Sequence, residues 1–409
     1  MTATTEPVEQ PLRQARRRDK ALLFVGVVIM GIGQSFMFII AAPLARDIGL
    51  SDSQYGLAFT IANLSLIIAA PYWGRKSDVW GRKPIFLIGV AGVAIGNLLL
   101  ALVLQIGLWG WLSVWPLFFL LIGARAIYGA TSTAIYSASS AYIADVTDRA
   151  SRAQGIAFIG GGNSLGIVLG PAIGGVLAFV SVLFPMYFLA VVGSAATITT
   201  YMILRETRHQ EEVRRPATLK INDARLRPFL IMRFAFWLAF TSLQFITAFY
   251  VADRLGLTDT TEIVRMASIA MFCQAIVSVF IQIVVLQAIR IPQMMLLRLC
   301  FPLFAVGLFA LAMSTSLIPI LISFAILGVA LSFSHAGIGG GASLSVEPYE
   351  QGIAAGLLSS VTTIGIVIGP VIGTALYDIA PNLPLFVSAA YLSLLSIYAL
   401  SIKLPRSKR

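Results

Sequence analysis

Three groups of residues in this chain have types and spacing suited to chemistry. The first is the stretch PYWGRKSDVWGRKP (71–84), which sets Arg75, Lys76, Asp78, Arg82 and Lys83 between two apolar runs. The bases suit contact with anionic lipid heads. Asp78 weakens that positive field, so it is expected to pair with a base or to sit at a helix N-terminus, where unpaired N–H groups favour an acid. Gly74 and Gly81 suit a tight turn and close backbone approach. The second is Arg125, a base well inside an apolar run, which normally faces protein or a water-filled cavity. Arginine stays protonated, so it can favour proton release from a neighbour or hold an anion; its structural alternative is a helix-end arginine bonded to carbonyls. The third is His335, the one histidine in an apolar run. An ordinary pKa near 6.5 makes it a proton carrier, with a hydrogen-bonded structural histidine as the alternative.

These residues need elements to hold them, and composition says what kind. The 409 residues are 58% hydrophobic and 11% charged, against about 25% charged in soluble proteins. That is a membrane protein. Twelve apolar runs of 18 residues or more stand out, at 21–43, 54–73, 84–106, 113–141, 155–179, 182–204, 229–251, 263–289, 292–312, 316–340, 352–376 and 383–404. Each is long enough as a helix, at ~1.5 Å per residue, to cross ~30 Å of hydrocarbon. Lys and Arg concentrate in the segments that share a side with the N-terminus, and Arg46, Arg254 and Arg265 lie opposite. Both termini are therefore expected in the cytoplasm. Topology and lipid contact account for the net charge of +11, and no nucleic-acid partner is needed. Cys273 and Cys300 both fall in apolar runs and read as buried fillers. Two cysteines and two histidines, with no nucleophile–base pair in any span, give no metal site, no cofactor and no enzyme.

The one long polar interval, 205–228, separates six spans from six and reads as a solvated linker. The expected organisation is a tail (1–20), a six-helix bundle (21–204), the linker (205–228), a second six-helix bundle (229–404) and a tail (405–409). GIVLGPAIGG (166–175) and GIVIGPVIGT (365–374) agree at seven of ten positions, each in the fifth span of its half. Shared Gly-Pro in the same register points to internal duplication, a common transporter plan.

The motifs resemble those of the major facilitator superfamily. GRKSDVWGRK (74–83) is similar to its signature between helices 2 and 3 at Gly74, Asp78, Gly81, Arg82 and Lys83, with Val79 departing from the usual base. Arg125, Tyr128 and Gly129 resemble an R-x-x-Q-G pattern with Tyr in place of Gln. Gly166, Gly170, Pro171, Gly174 and Gly175 resemble the antiporter signature, and AYIADVTDRASRAQG (141–155) is similar to the helix 4–5 connection of tetracycline and multidrug exporters. The resemblance implies an all-α fold of twelve transmembrane helices in two pseudo-symmetric halves. It implies that Asp78 faces the start of helix 11 and that Arg82 pairs with Asp145, forming a cytoplasmic gate. It also implies proton handling by Arg125 and a sealing role for the kinked fifth helix, which Gly365, Gly369, Pro370 and Gly373 would repeat in the second half.

One expected feature is missing. Many drug exporters carry an acid in helix 1, yet here none of the 18 acids falls at mid-membrane. That weakens proton coupling through a carboxylate and a preference for cations. Gln34, Asn63, Asn163, Gln244 and Gln274, with Tyr128, Phe38 and Phe240, are candidates to line a cavity, and each polar one could equally bond helix to helix. The resulting expectation is a monomeric secondary transporter of a bacterial cytoplasmic membrane. It would export an amphipathic or drug-like small molecule by alternating access in exchange for protons. The alternatives are an exporter of one endogenous metabolite, such as a siderophore or an anionic product, an importer, or a transport-dead sensor.

Overall fold

A computed structural model describes residues 6–146, 152–207, 219, 221–289, 291–347 and 350–402. Twelve of its helices are long and apolar enough to cross a membrane: α1 (Arg17–Asp47), α2 (Asp52–Trp80), α3 (Arg82–Leu108), α4 (Val114–Ile143), α5 (Phe158–Leu177), α6 (Phe184–Ile203), α7 (Arg227–Leu255), α8 (Thr260–Ala288), α9 (Gln293–Met313), α10 (Leu317–Ser345), α11 (Ile353–Ile379) and α12 (Leu383–Ser401). Among the described residues no strand occurs. Lipid offers no partner to a backbone N–H or C=O, so each segment must satisfy its own, and helices do so.

The helices overrun the apolar runs where charge begins. α2 continues to Trp80, so Arg75, Lys76 and Asp78 stand on its last turns, and what reads as a charged loop is helix, Gly81, helix. The boundary between the eighth and ninth spans falls at Pro292, which caps α9 in extended conformation. In α1 a π-helical turn covers Met37–Ala41, just before Pro43. A proline ring collides with the carbonyl four residues back in a regular helix, and a widened turn relieves this.

The chain forms two compact units, Met1–Ile40 with Ile61–Glu212 and Ala41–Thr60 with Val213–Arg409. In the first, α1 packs along α5, and α3 packs along both α4 and α6. In the second, α7 packs along α11, and α9 along both α10 and α12. The same scheme recurs six helices later, which is the structural form of the repeated Gly-Pro segment. Small residues set the closest approaches in both units. On α3, Gly89 and Gly96 meet Ile135 and Tyr128 of α4; on α9, Gly307 meets Leu327 of α10. α6 and α12 present large apolar side chains outward, among them Ile198, Met202, Leu394 and Ile397. In a helix long enough to span, such faces belong to lipid.

Candidate functional site

The α2–α3 junction builds a charge cluster within the first unit. Gly81 makes the turn with φ +95°, a conformation strained for any side chain, and a Cβ there would also meet the Glu206 carboxylate at 2.6 Å. The turn places Arg82 at the first position of α3, where the residue is 4% exposed. Arg82 Nε donates to Asp145 Oδ2 at 2.9 Å, and Nη1 donates to Asp78 Oδ1 at 2.6 Å and Ser77 Oγ at 3.1 Å. Asp145 also accepts from the Thr207 hydroxyl at 3.2 Å. All of these residues lie in the first unit. The cluster therefore fastens α2 and α3 to the end of α4 and to the segment after α6.

Within the cluster the acids differ in burial. The Asp78 side chain is 53% exposed, that of Asp145 11%, so the buried counter-charge of Arg82 is Asp145. The acid at a helix N-terminus is Glu206: it accepts from the backbone N–H of Arg82 at 2.7 Å and of Lys83 at 3.2 Å. Carboxylates are favoured there by unpaired N–H groups. Glu206 belongs to the interval that reads as a solvated linker, and no local pattern links it to Gly81. Lys83 lays its ammonium 5.4 Å from the Tyr201 ring centre. Gly74, expected at a close approach, lies inside α2 with no described atom within 4 Å of where a Cβ would stand.

The Gly-Pro helices use their glycines against one partner each. A Cβ on Gly166 or Gly170 would run into α1, at Val28 O, Gly31 and Ile32 N for the first and Ser35 for the second. Gly174 stands against Phe36, and Gly175 and Pro171 are buried beside it. In the second unit Gly365, Gly369 and Gly373 bear in the same way on α7, at Trp237 and Leu238, Thr241, and Ser242. Pro370 shares α11 with them, and the carbonyl of Gly365 accepts from the Thr241 hydroxyl at 3.0 Å. Spacing by four puts these glycines on one helix face, where backbones approach closely.

Arg125 is 2% exposed, with its guanidinium 4.3 Å from the Tyr128 ring centre. The Tyr128 hydroxyl donates to Met30 O at 2.7 Å and so ties α4 to α1. His335 on α10 stands edge-on to Trp237 of α7, ring centres 5.9 Å apart. Trp237 in turn packs on Phe240, at 5.1 Å, and lies 5.4 Å from Arg233. Arg233 escapes the sequence reading because it falls near the start of an apolar run and matches no motif. Its Nε donates to Thr362 on α11 at 2.9 Å. Of the cavity candidates, Gln34, Phe38, Asn63, Tyr128 and Asn163 lie in the first unit and Phe240, Gln244 and Gln274 in the second. Phe38, Asn63, Gln244 and Gln274 are buried, and Gln34 and Asn163 half-buried.

Two further polar clusters lie in the second unit. Arg46 holds Asp52 with two hydrogen bonds, at 2.8 and 2.6 Å, and donates to Asp253 Oδ1 at 2.9 Å. Tyr377 donates to the other oxygen of Asp253 at 2.6 Å, and Ser53 donates to Asp378. Stacking of Tyr55 on Phe245, centres 4.8 Å apart, continues this seam. Segment 41–60 thus docks on α7 and α11, a pairing of distant residues that no local spacing reveals. At the other end of α7, Arg225 donates to both oxygens of Glu350, at 2.9 and 3.0 Å, and to Asp223.

The Arg225 hydrogen bonds hold the Asp223 and Glu350 carboxyls below the usual carboxylate range. A depressed folded-state pKa adds stability above the unfolded value of about 4, and that stability is lost as pH falls through the lower folded value. The melting-temperature difference between wild type and Arg225→Gln is therefore expected to hold steady from about pH 8 to pH 5. It should shrink only below about pH 4. A difference that disappears between about pH 7 and pH 6 would mean that a histidine-like group, not these carboxylates, carries it.

Residues 22–289 match the sequence profile of the Major Facilitator Superfamily. Multidrug resistance protein 2 of Bacillus subtilis is 22% identical over 391 residues, covering 92% of each chain. Tetracycline resistance protein, class G, of Vibrio anguillarum is 27% identical over 380 residues, covering 88% of this chain and 89% of that protein. Among solved structures, an inward-facing, occupied bacterial homologue of the human lysosomal transporter Spinster superposes with a TM-score of 0.68 at 15% identity. It covers 94% of this chain and 96% of the other.

Proposed function

This chain belongs to the Major Facilitator Superfamily, and from that premise we propose that it exports an amphipathic or drug-like small molecule in exchange for protons. It is a multi-pass membrane transporter of small molecules and not an enzyme. The proposed setting is a bacterial cytoplasmic membrane, with both termini inside as the excess of Lys and Arg in the connecting segments favours. The proposed working unit is a monomer whose two six-helix bundles, 21–204 and 229–404, alternate access to the two sides.

The observation that carries this reading is the matched packing of α5 on α1 and of α11 on α7 through glycines four residues apart. Smooth interfaces let packed helices shift without a large side chain having to climb past another. The multidrug and tetracycline resistance relatives support efflux as the direction. In this scheme Asp78, Arg82, Lys83 and Asp145 with Gly74 and Gly81 shape the cytoplasmic gate. Arg125 biases a neighbouring group toward proton release or meets substrate charge, and His335 is a second candidate for that coupling. The test is proton flux in proteoliposomes loaded with a pH-sensitive dye. Tetracycline and a panel of amphipathic cations, neutrals and anions are added in turn. At least one compound is expected to drive proton movement opposite to its own. If every transported compound moves without protons, the antiport reading is wrong.

A second reading, an exporter of one anionic metabolite, is favoured by a specific feature. The spans bury Arg125 and enclose Arg233, whereas their acids gather near helix ends.

A further inference from the structure

We propose that Arg233, Trp237, His335 and Thr362 form a binding site for the carboxylate, or similar compact anion, of the transported molecule. This rests on the transporter reading and names its substrate class.

The site is assembled by three helices of the second unit, α7, α10 and α11. From the helix ends, Arg233, Thr362 and His335 lie about 9–15 Å into their spans. Arg233 is half-buried, and among the described residues it has no acidic partner. Its Nε is committed to the Thr362 hydroxyl, and that hydroxyl donates onward to Leu358 O at 2.9 Å. Thr362 therefore orients the guanidinium by accepting from one edge. The two terminal nitrogens, the pair that grips a carboxylate through parallel bonds, have no protein acceptor among the described residues.

Several other arginines of the chain do have protein acceptors. Arg46, Arg82 and Arg225 put terminal nitrogens on carboxylates, and Arg254 puts one on Ala312 O and Asn382. Beside Arg233, the indole Nε1 of Trp237 is buried without an acceptor. The His335 ring, which packs against that indole, makes no protein hydrogen bond among the described residues. Arg233 and His335 both lie against the Trp237 ring, 5.4 and 5.9 Å from its centre, and among the described residues no carboxylate joins them. A cation within a span is costly there and normally faces protein or a water-filled cavity, where a counter-charge can reach it. A substrate anion would bring that charge, and Trp237 and Phe240 offer an aromatic wall to the apolar body of the same molecule.

The test uses the full-length protein in detergent with three isosteric probes: 2-naphthoate, 2-naphthamide and 2-naphthylmethylammonium. Binding is read by calorimetry, without any need for transport. The naphthoate is expected to bind about tenfold or more tightly than the amide, as bonds to a charged acceptor allow. Arg233→Gln should erase that preference, weakening naphthoate binding far more than amide binding. Arg233→Lys, which keeps the charge but loses the fork, should retain part of it, and it answers the question if the Gln variant does not fold. Equal affinity for acid and amide, preference for the ammonium, no naphthoate binding, or a preference that survives Arg233→Gln would overturn the proposal. Naphthoate binding without proton-linked flux would remove the antiport reading and leave this site. Proton-linked flux of neutral or cationic compounds alone would do the reverse.

Discussion

Asp145→Asn is expected to destabilise the protein by about 2–3 kcal/mol, whereas Asp78→Asn should cost less than about 1 kcal/mol. Both acids bond to Arg82 at short range, 2.9 Å and 2.6 Å, so distance does not separate them. Burial does. The Asp145 side chain is 11% exposed and that of Asp78 53%. Water screens the second pair and solvates Asp78 when the bond breaks. The first pair holds a guanidinium that is almost wholly enclosed. Losing one partner of such a pair leaves a buried charge short of compensation; the bond from Arg82 to Asp78 keeps the loss below the usual 3–5 kcal/mol for a broken buried pair. Unfolding of the detergent-solubilised variants measures both values. The double variant Arg82→Gln/Asp145→Asn should lose less than the sum of its singles, because the two residues share the interaction. If Asp78→Asn proves the costlier change, the burial argument is wrong. If it is stable yet abolishes transport, Asp78 acts in the cycle and not in holding the fold.

Gly166→Leu and Gly170→Leu are expected to have the larger structural effect, about 3 kcal/mol or more each, seen as loss of monodisperse protein in detergent. The reason is specific to the α1–α5 contact. A Cβ on Gly166 would already stand 2.9 Å from the Gly31 Cα and 3.0 Å from the Ile32 nitrogen, and backbone atoms cannot rotate away as a side chain can. Gly170 faces the Ser35 side chain and the Ile32 carbonyl. The control sits on the same helix. Gly161 is exposed, with no described atom within 4 Å of its Cβ position, so Gly161→Leu should stay within about 0.5 kcal/mol. Gly369→Leu on α11 should behave like Gly170→Leu, since its Cβ would meet Thr241 and Leu238 O. Equal effects at Gly161 and Gly166 would show that helix propensity, rather than helix contact, governs these positions.

The sequence by itself determined the helical membrane fold, because a run of apolar side chains in lipid leaves the backbone no alternative to helix. It also exposed the internal repeat and the small-residue faces, since periodicity and matching register are local properties of a string. It picked out Arg82 and Asp145 through family resemblance, and Arg125 through the rarity of a base inside an apolar run. Tertiary structure alone decided how much Asp78 adds to the balance of Arg82, because the difference between Asp145 and Asp78 is one of burial, and burial is a sum over neighbours far away in sequence. Glu206 became visible as the acid at the start of α3 only once the segment after α6 was placed beside Gly81, 125 residues earlier. The Arg46–Asp253 and Arg225–Glu350 pairs are likewise separated by 207 and 125 residues. Arg233 was the hardest to read, for in sequence it is one more base near a helix end. What distinguishes it is the absence of a carboxylate around it among the described residues, together with the convergence of Trp237 and His335. A missing partner is a property of three-dimensional surroundings, and it has no spelling in the chain.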